Sequence, residues 1–444
     1  MDHFFNKITT FLITAFMLFA GVTKAQDSTG NAYVLSIEQA VQLAKLNNDH
    51  VTIARLNSQA AVNELKEVKS HALPHIVMQA SGKRLTNVTL YEHGLQDRES
   101  LPPPPSSYQA AVGVEATFNL YSGGKHEAAI KEQEARNRIA DINVEQQQGS
   151  ISLQVVQHYL EILRLSQLDS LYKDQINREK LRLKNINSLY KNGKVTRSDV
   201  LRAEISLSNQ EFAKKENESD IEIFHNRLNI LMHLPQETRV TLSDTAIVKT
   251  LPPLEIIEKS SDNDAYSVRS VKEQVNLQQS VIKGAKSNYM PTIELVTEYG
   301  YNYPNYLRYP YVDQLYAVGF VGVRMQYNIS SLYQNNHKVS AERNRLEEIK
   351  TSENATRDNV NLEITSLKIK ISDTQEKIAL AQKNIEQSQV NYRIVSTKYF
   401  NQLALLTDLL EADNIYLQSK YKLIEAQTSL LDYYYQTLYT TGKL

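Results

Sequence analysis

From Gly124 to Lys191 the chain is mostly polar, carries no proline and has one interior glycine, Gly149, before a turn at Lys191-Asn192-Gly193. A continuous helix of that length would extend roughly 100 Å, several times the mean globular helix. No compact domain can wrap it. Upstream, Ser36 with Gln39 three residues on is a capping box. Ala40, Leu43, Ala44, Ala54, Ala61, Leu65 and Val68 then keep helical spacing, predicting a helix as far as Pro74. The period changes between Gln109 and Leu120. There Ala110, Val112, Val114, Ala116, Phe118 and Leu120 alternate with Gln109, Gly113, Glu115, Thr117 and Asn119, the pattern of a two-faced strand. Ile221, Phe224, Leu228 and Leu231 form a coiled-coil seam in a helix that Pro235 stops. Leu403, Leu410, Leu417, Ile424, Leu431 and Leu438 recur at steps of seven, which imposes left-handed supercoiling on a last helix over 404–439.

The same design occurs twice. A shift of 209 residues lays Val112-Gly113-Val114 on Val321-Gly322-Val323, Phe118-Asn119-Leu120 on Tyr327-Asn328-Ile329, and Tyr190, Asp199, Leu201 and Ala203 on Tyr399, Asp408, Leu410 and Ala412. The faces of the two strands correspond, with Glu115 on the same side as Arg324 and Asn119 as Asn328. Each strand is preceded by another, beginning at Pro74-His75-Ile76 and Pro291-Thr292-Ile293. The hairpin loops are Leu101-Pro102-Pro103-Pro104-Pro105 and a stretch carrying Tyr299, Tyr301, Tyr303, Tyr306, Tyr309, Tyr311 and Tyr316. Such tyrosine density suits the headgroup level of a membrane; an extracellular or carbohydrate-binding loop is the other reading.

Charge and composition narrow the partners. Lys+Arg 49 against Asp+Glu 50 leaves a net charge of −1, which does not favour nucleic acid, and the lack of cysteine excludes disulfides, thiolate metal sites and cysteine nucleophiles. The ten histidines show no HExxH spacing, the six methionines form no tract, and no phosphate-binding loop is present, so the expectation is no enzyme, no metal and no cofactor. Lys7, the apolar run Ile8 to Val22 and the exit Thr23-Lys24-Ala25 read as a secretory signal, with the mature chain starting near Gln26. No later stretch is apolar over the length a transmembrane helix needs. The chain thus divides into a signal peptide (1–25), a first repeat (26–233, with hairpin 75–120 and long helix 124–191), an equatorial linker (234–263) and a second repeat (264–444, with hairpin 291–329 and long helix 333–400).

Lengths constrain the assembly. Each long helix has about 68 residues, and the helices before a hairpin and after a turn, about 36 each, together match it when stacked end to end. The strands then lie at one end of a rod and the turns at Gly193 and Gln402 at the other. Four strands cannot close a barrel, and an open sheet edge is forbidden in lipid. Several copies must close it: two give eight strands and a filled interior, three give twelve and a passage. A secreted chain with a membrane barrel and a rod of that length points to a bacterial outer membrane with the rod in the periplasm.

The opening Leu35-Ser36-Ile37-Glu38-Gln39-Ala40, the entries Leu73-Pro74 and Met290-Pro291, the exit Phe118-Asn119-Leu120-Tyr121-Ser122-Gly123-Gly124, and both turns with their Asp-x-Leu carry a resemblance over essentially the whole mature chain. It resembles a TolC-family outer membrane efflux protein. The resemblance implies a mostly α chain that forms a homotrimer, with a twelve-stranded transmembrane β-barrel in outer membrane lipid and an α-helical coiled-coil periplasmic tunnel. It also implies a tripartite pump with a periplasmic adaptor and an inner-membrane transporter, exporting drugs or other small toxic solutes. Asp408 and Glu411 match the family's acidic gate positions, and Tyr399 and Asp199 match positions in bonds that hold the tunnel end shut. Asp199 and Asp408 also read as first-turn carboxylates favoured by the helix dipole. Where a basic gate partner is expected the chain has Ala404, within Leu403-Ala404-Leu405-Leu406, so closure is either apolar or draws on Arg197 for its cation. Gly193, Val195, Leu403, Ala404 and Leu405 form the expected adaptor dock. A type I protein secretion duct, or a periplasmic coiled-coil or adhesive protein without a pore, are the alternatives.

Overall fold

The computed structural model describes residues 33–243 and 261–444; the signal segment and most of the 234–263 linker lie outside the described residues. Elements follow in the order β1 (Tyr33–Leu35), α1 (Ile37–Asn47), α2 (Asp49–Ser70), β2 (His75–Arg84), β3 (Val88–Tyr91), β4 (Arg98–Leu101), β5 (Tyr108–Tyr121), α3 (Lys125–Lys191), α4 (Arg197–Leu231), β6 (Val240–Leu242), α5 (Tyr266–Ser287), β7 (Thr292–Tyr303), β8 (Tyr316–Gln326), α6 (Ser331–Phe400) and α7 (Leu406–Thr440). No helix among the described residues is long and apolar enough to cross a membrane.

The two long helices, α3 with 67 residues and α6 with 70, are the spars of the molecule. Against α3 lie α1 and α2 toward the strands and α4 toward the tip; α5 and α7 divide α6 in the same way. The predicted first helix is in fact two. The apolar spacing continues across the break, but Asn48 leaves the helical conformation at ψ 134° and serves both helices: its N–H bonds the Ala44 carbonyl, its Oδ1 accepts from the His50 N–H at 2.9 Å, and its Nδ2 donates to the Leu231 carbonyl at 2.9 Å. One buried residue thus satisfies orphan groups at three helix ends, two through its side chain and one through its backbone N–H. At the matching joint of the second half the end of α7 meets the start of α5, with Gly442 lying against the Asp264 backbone. The two joints are tied together by Lys45 Nζ, which donates to the Leu444 carbonyl at 3.3 Å.

The main apolar core lies at this level. Ile37, Ala40, Ala44, Val155, Tyr159, Leu163, Leu228, Met232, Val240 and Leu431 come together from α1, α3, α4, β6 and α7. A two-stranded parallel sheet of β1 with β6, too short for the sequence pattern to reveal, closes the cluster, and the Tyr159 hydroxyl donates to the Leu35 carbonyl at 3.0 Å. Gly149 has a packing reason: a Cβ there would meet the Tyr266 ring at 2.9 Å.

At the far end β2, β5, β7 and β8 form one antiparallel sheet in the order β2-β5-β7-β8. The first hairpin loop adds its own ribbon, β3 with β4. The chain leaves β5 through Gly123 (φ 64°) and Gly124 (φ 82°), both left-handed, and a Cβ on Gly123 would strike Met290 at 2.6 Å. That pair turns the chain from strand to helix beside the end of α5.

Because the Tyr266 ring fills the space a Gly149 side chain would need, Gly149→Ala should destabilise the helical region by about 1 kcal/mol. In a Tyr266→Ala background the same change should stabilise by about 1 kcal/mol through helix propensity. Thermal unfolding followed by circular dichroism at 222 nm reads both signs.

Candidate functional sites: the inverted sheet and the helical tip

The sheet is apolar on its open side. Ile76, Met78, Val112, Val114, Tyr299, Tyr301, Val321, Val323 and Met325 share one face by register and are all exposed, Val321 at 74% and Met78 at 73%. The opposite, largely polar face is the more enclosed along the two central strands. Along β5 the polar-face positions 109, 111, 113 and 115 are partly covered while the even positions 108 to 114 are exposed, and on β7 Val296 is buried on that same face. Glu115 stands directly opposite Glu298, and Glu294 opposite Arg324 with 4.0 Å between charges. Like charges facing across a ladder are unfavourable. They are tolerated on a face that water and counterions can reach. Above the strands the tyrosines pack on one another: Tyr306 and Tyr309 each meet Tyr311 edge-on at 5.3 and 5.9 Å, and Gln109 donates to the Tyr306 hydroxyl at 3.0 Å, joining the start of β5 to the second loop.

The two turns at the other end are built alike. Gly193 (φ 68°) and Gln402 (φ 61°) occupy the left-handed position that ends α3 and α6. Gly193 and Lys194 donate to the Tyr190 and Leu189 carbonyls, both at 2.9 Å; Gln402 and Leu403 donate to Tyr399 and Lys398 at 2.9 and 2.8 Å. Ser198 or Asp199 is the sequence-based choice for the next N-cap, but Thr196 takes that place. Asp199 closes the box, accepting from the Thr196 N–H at 2.9 Å and its hydroxyl at 2.7 Å. Asp408 repeats half of this, accepting from the Leu405 N–H at 3.0 Å; leucine offers no oxygen to return the bond. Both carboxylates therefore do the first-turn work the dipole favours.

Between the turns Ile186, Val200, Ala203, Tyr399, Leu406 and Leu409 form a buried cluster that brings both repeats together. Val195 and Ala404, expected as exposed docking residues, pack against this cluster and are half-buried, because the capped turns fold them back onto it. Leu403 and Leu405 remain exposed at 76% and 69%, and Gly193 is exposed. Tyr399 is buried with its hydroxyl unpartnered within the chain, and burial, then the nearby Asp199 charge, raises its pKa. Glu411 and Asp408 are exposed. Arg197 lies 4.0 Å from Glu204 on its own helix, so within the chain it supplies no cation to Asp408 or Glu411.

A buried ionic cluster lies just inside the tip. Arg182 pairs with Glu179 at 2.7 Å and with Asp413; Gln175 donates to Asp413 at 2.8 Å and to Glu179 at 3.2 Å, and the Ser206 hydroxyl donates to Glu179 at 3.2 Å. Glu179 and Asp413 are each 1% exposed and Arg182 4%. Burial raises the Glu179 pKa against the pull of Arg182; burial also works against the Arg182 charge, but Asp413 and Glu179 outweigh it and hold its pKa above the ordinary value. The cluster joins α3, α4 and α7. Nothing in the spacing of charges marks these three among the many on polar helices; the sole signal is that they fall in otherwise apolar registers.

The outer membrane efflux protein family model matches residues 40–232. No curated protein matches. Among solved structures, the outer membrane protein VceC of Vibrio cholerae superposes with a TM-score of 0.76 at 15% identity, covering 91% of this chain and 96% of that one. The outer membrane channel CmeC of Campylobacter jejuni gives 0.72 at 16%, covering 92% and 85%. The open state of the outer membrane channel MtrE of Neisseria gonorrhoeae gives 0.71 at 14%, covering 91% and 88%. At these identities the likeness is one of fold.

Removing Asp413 leaves Arg182 buried with half its counter-charge. Asp413→Ala should cost on the order of 3 kcal/mol, seen as a lower thermal midpoint and faster proteolysis at the tip. Asp199→Ala should cost more than Asp408→Ala, about 1 kcal/mol against a few tenths, since only Asp199 closes a full capping box; urea titration of the two variants compares them.

Proposed function

We propose that this chain is an outer membrane efflux protein and works as a homotrimer in which twelve strands close a barrel and the helices of the three copies enclose a periplasmic tunnel. The repeats 26–233 and 264–444, either side of the linker 234–263, each contribute a hairpin to the barrel and a helical tip to the periplasmic end. The observation that carries this reading is the inverted sheet, apolar and exposed on one face, largely polar on the other and partly covered there along its two central strands, with both edges unpaired. Such a sheet suits lipid outside and water inside. A chain with no energy-transducing motif is a passive duct, so an inner-membrane transporter supplies the drive and a periplasmic adaptor connects the two. The exposed Leu403 and Leu405 beside Gly193, with Val195 and Ala404 supporting them from below, are the proposed adaptor dock. Drugs or other small toxic solutes are the proposed cargo.

Three copies convert each inward carboxylate into a ring, which raises local cation concentration and narrows the passage electrostatically. Asp408 and Glu411 would form such a ring at the tip, and Glu115 with Glu298 one in the barrel. Tyr399 and Asp199 stand next to the tip seam, with the Tyr399 hydroxyl enclosed in its own chain and without a hydrogen-bond partner there. With Ala404 at the basic position and Arg197 turned to Glu204, closure is read as apolar, by Leu403 and Leu405, with the acidic ring tuning ion preference.

In planar bilayers Asp408→Ala with Glu411→Ala should raise single-channel conductance of the closed trimer and lower its cation preference. Glu115→Gln with Glu298→Gln should lower cation preference without changing resting conductance. Unaltered current and selectivity in the first variant would remove the tip carboxylates from the gate. A detergent-corrected molar mass by light scattering other than three copies would overturn the duct reading.

A further inference from the structure

The sheet leaves two edges without partners, β2 and β8. Both present ladder N–H and C=O groups at a depth where lipid offers no hydrogen bonds, so each must be paired. Resting on the trimer reading above, we propose that β8 of one copy pairs antiparallel with β2 of the next in a single defined register, with Arg324 opposite the partner's Ser81, Val323 opposite the partner's Gly82 and Met325 opposite the partner's Ala80.

The register follows from the chain's own duplication. His75 pairs with Thr117 in the first hairpin and Thr292 with Gln326 in the second. A shift of 209 residues thus carries β5 onto β8, and one of 217 carries β2 onto β7, the second hairpin loop being shorter by the difference. The joint between the two hairpins is already seen within the chain: Val114 faces Tyr299, Glu115 faces Glu298 and Ala116 faces Thr297 across β5 and β7. Applying the two shifts to that joint gives the joint between copies, because β8 stands where β5 stood and the partner's β2 where β7 stood.

Two independent features agree. A slip by one residue would turn the exposed apolar faces of Met78 and Val323 to opposite sides of the barrel. A slip by two in one direction would set Arg324 directly against the partner's Lys83, two like charges across a ladder. In the proposed register Lys83 of the partner subunit faces Gly322, where a Cβ would meet nothing within 4 Å, and the lysine has room. The basic groups Arg324 and Lys83 then line the seam between copies, while Glu115 and Glu298 line the middle of each chain.

The test is disulfide mapping, which the absence of native cysteine makes unambiguous. Directly opposed strand residues lie within the Cα separation a disulfide requires, and pairs displaced by two do not. Three double variants are oxidised in mild detergent and run on a denaturing gel without reductant: Val323→Cys with Gly82→Cys, Met325→Cys with Ala80→Cys, and Arg324→Cys with Ser81→Cys. The set covers both faces, because hydrogen-bonded and non-hydrogen-bonded pairs fall on opposite sides of the ladder. Each should give a covalent trimer that reverts to monomer on reduction, and Met325→Cys with Met78→Cys or with Gly82→Cys should not. Crosslinking of a displaced pair in place of the matched pairs overturns the register. A trimer by light scattering that none of the matched pairs crosslinks overturns the β8–β2 seam while the duct reading stands, and a monomer by light scattering overturns the duct reading itself.

Discussion

The arrangement rests on a match of helix lengths. A spar of 67 or 70 residues can be flanked along its whole length only by two shorter helices placed end to end, and those must meet somewhere. Where they meet, four carbonyls and four N–H groups per joint lose their helical partners. The chain concentrates its most apolar core and its bridging polar side chains at that level: Asn48 satisfies three helix ends and Tyr159 holds β1 in place. Strands and tips are then fixed at opposite ends of the rod by length alone. The separation puts the inverted sheet at one end and the two capped turns at the other.

Much of this was legible because the elements are long and repeated. Period-2 alternation over Gln109 to Leu120 and the proline-free run after Gly124 need little context to read, and the duplication checks each against its copy. What escaped the sequence was local. The break at Asn48 is hidden because Ala44 and Ala54 keep helical spacing across it, and three-residue strands such as β1 and β6 carry too few positions for any period. Thr196 caps α4 where Ser198 or Asp199 is the equally plausible choice by residue type. The Arg182, Glu179 and Asp413 cluster is easily missed for a different reason: charged residues on a polar helix read as a solvated face, their place in apolar registers is a faint signal, and the packing of α3 against α4 and α7 buries them.

At the tip, two of the residues expected to be exposed are not. Val195 and Ala404 sit in turns, and turns are ordinarily wet. Here the left-handed residues Gly193 and Gln402 reverse the chain so tightly that the following side chains fold back onto Ile186, Tyr399 and Leu409. The carboxylates Asp199 and Asp408 are held by their own helix starts. Their charges are thereby placed at fixed positions on the tip rather than on free side chains, and Tyr399 is left with a hydroxyl that nothing in its own chain satisfies.

The two end-to-end joints lie at one level and are linked through Lys45 and Leu444. Mechanically, a rod of this kind has full bending stiffness above and below the joints, where every helix is continuous, and reduced stiffness across them, where only α3 and α6 carry through. Bending strain imposed at the tips therefore collects in a narrow waist around Asn48, Leu231 and Gly442 before it reaches the strands. A tilt about that waist would leave the hydrogen-bond ladders of the sheet in register, so the strand end is mechanically buffered from movement at the tips.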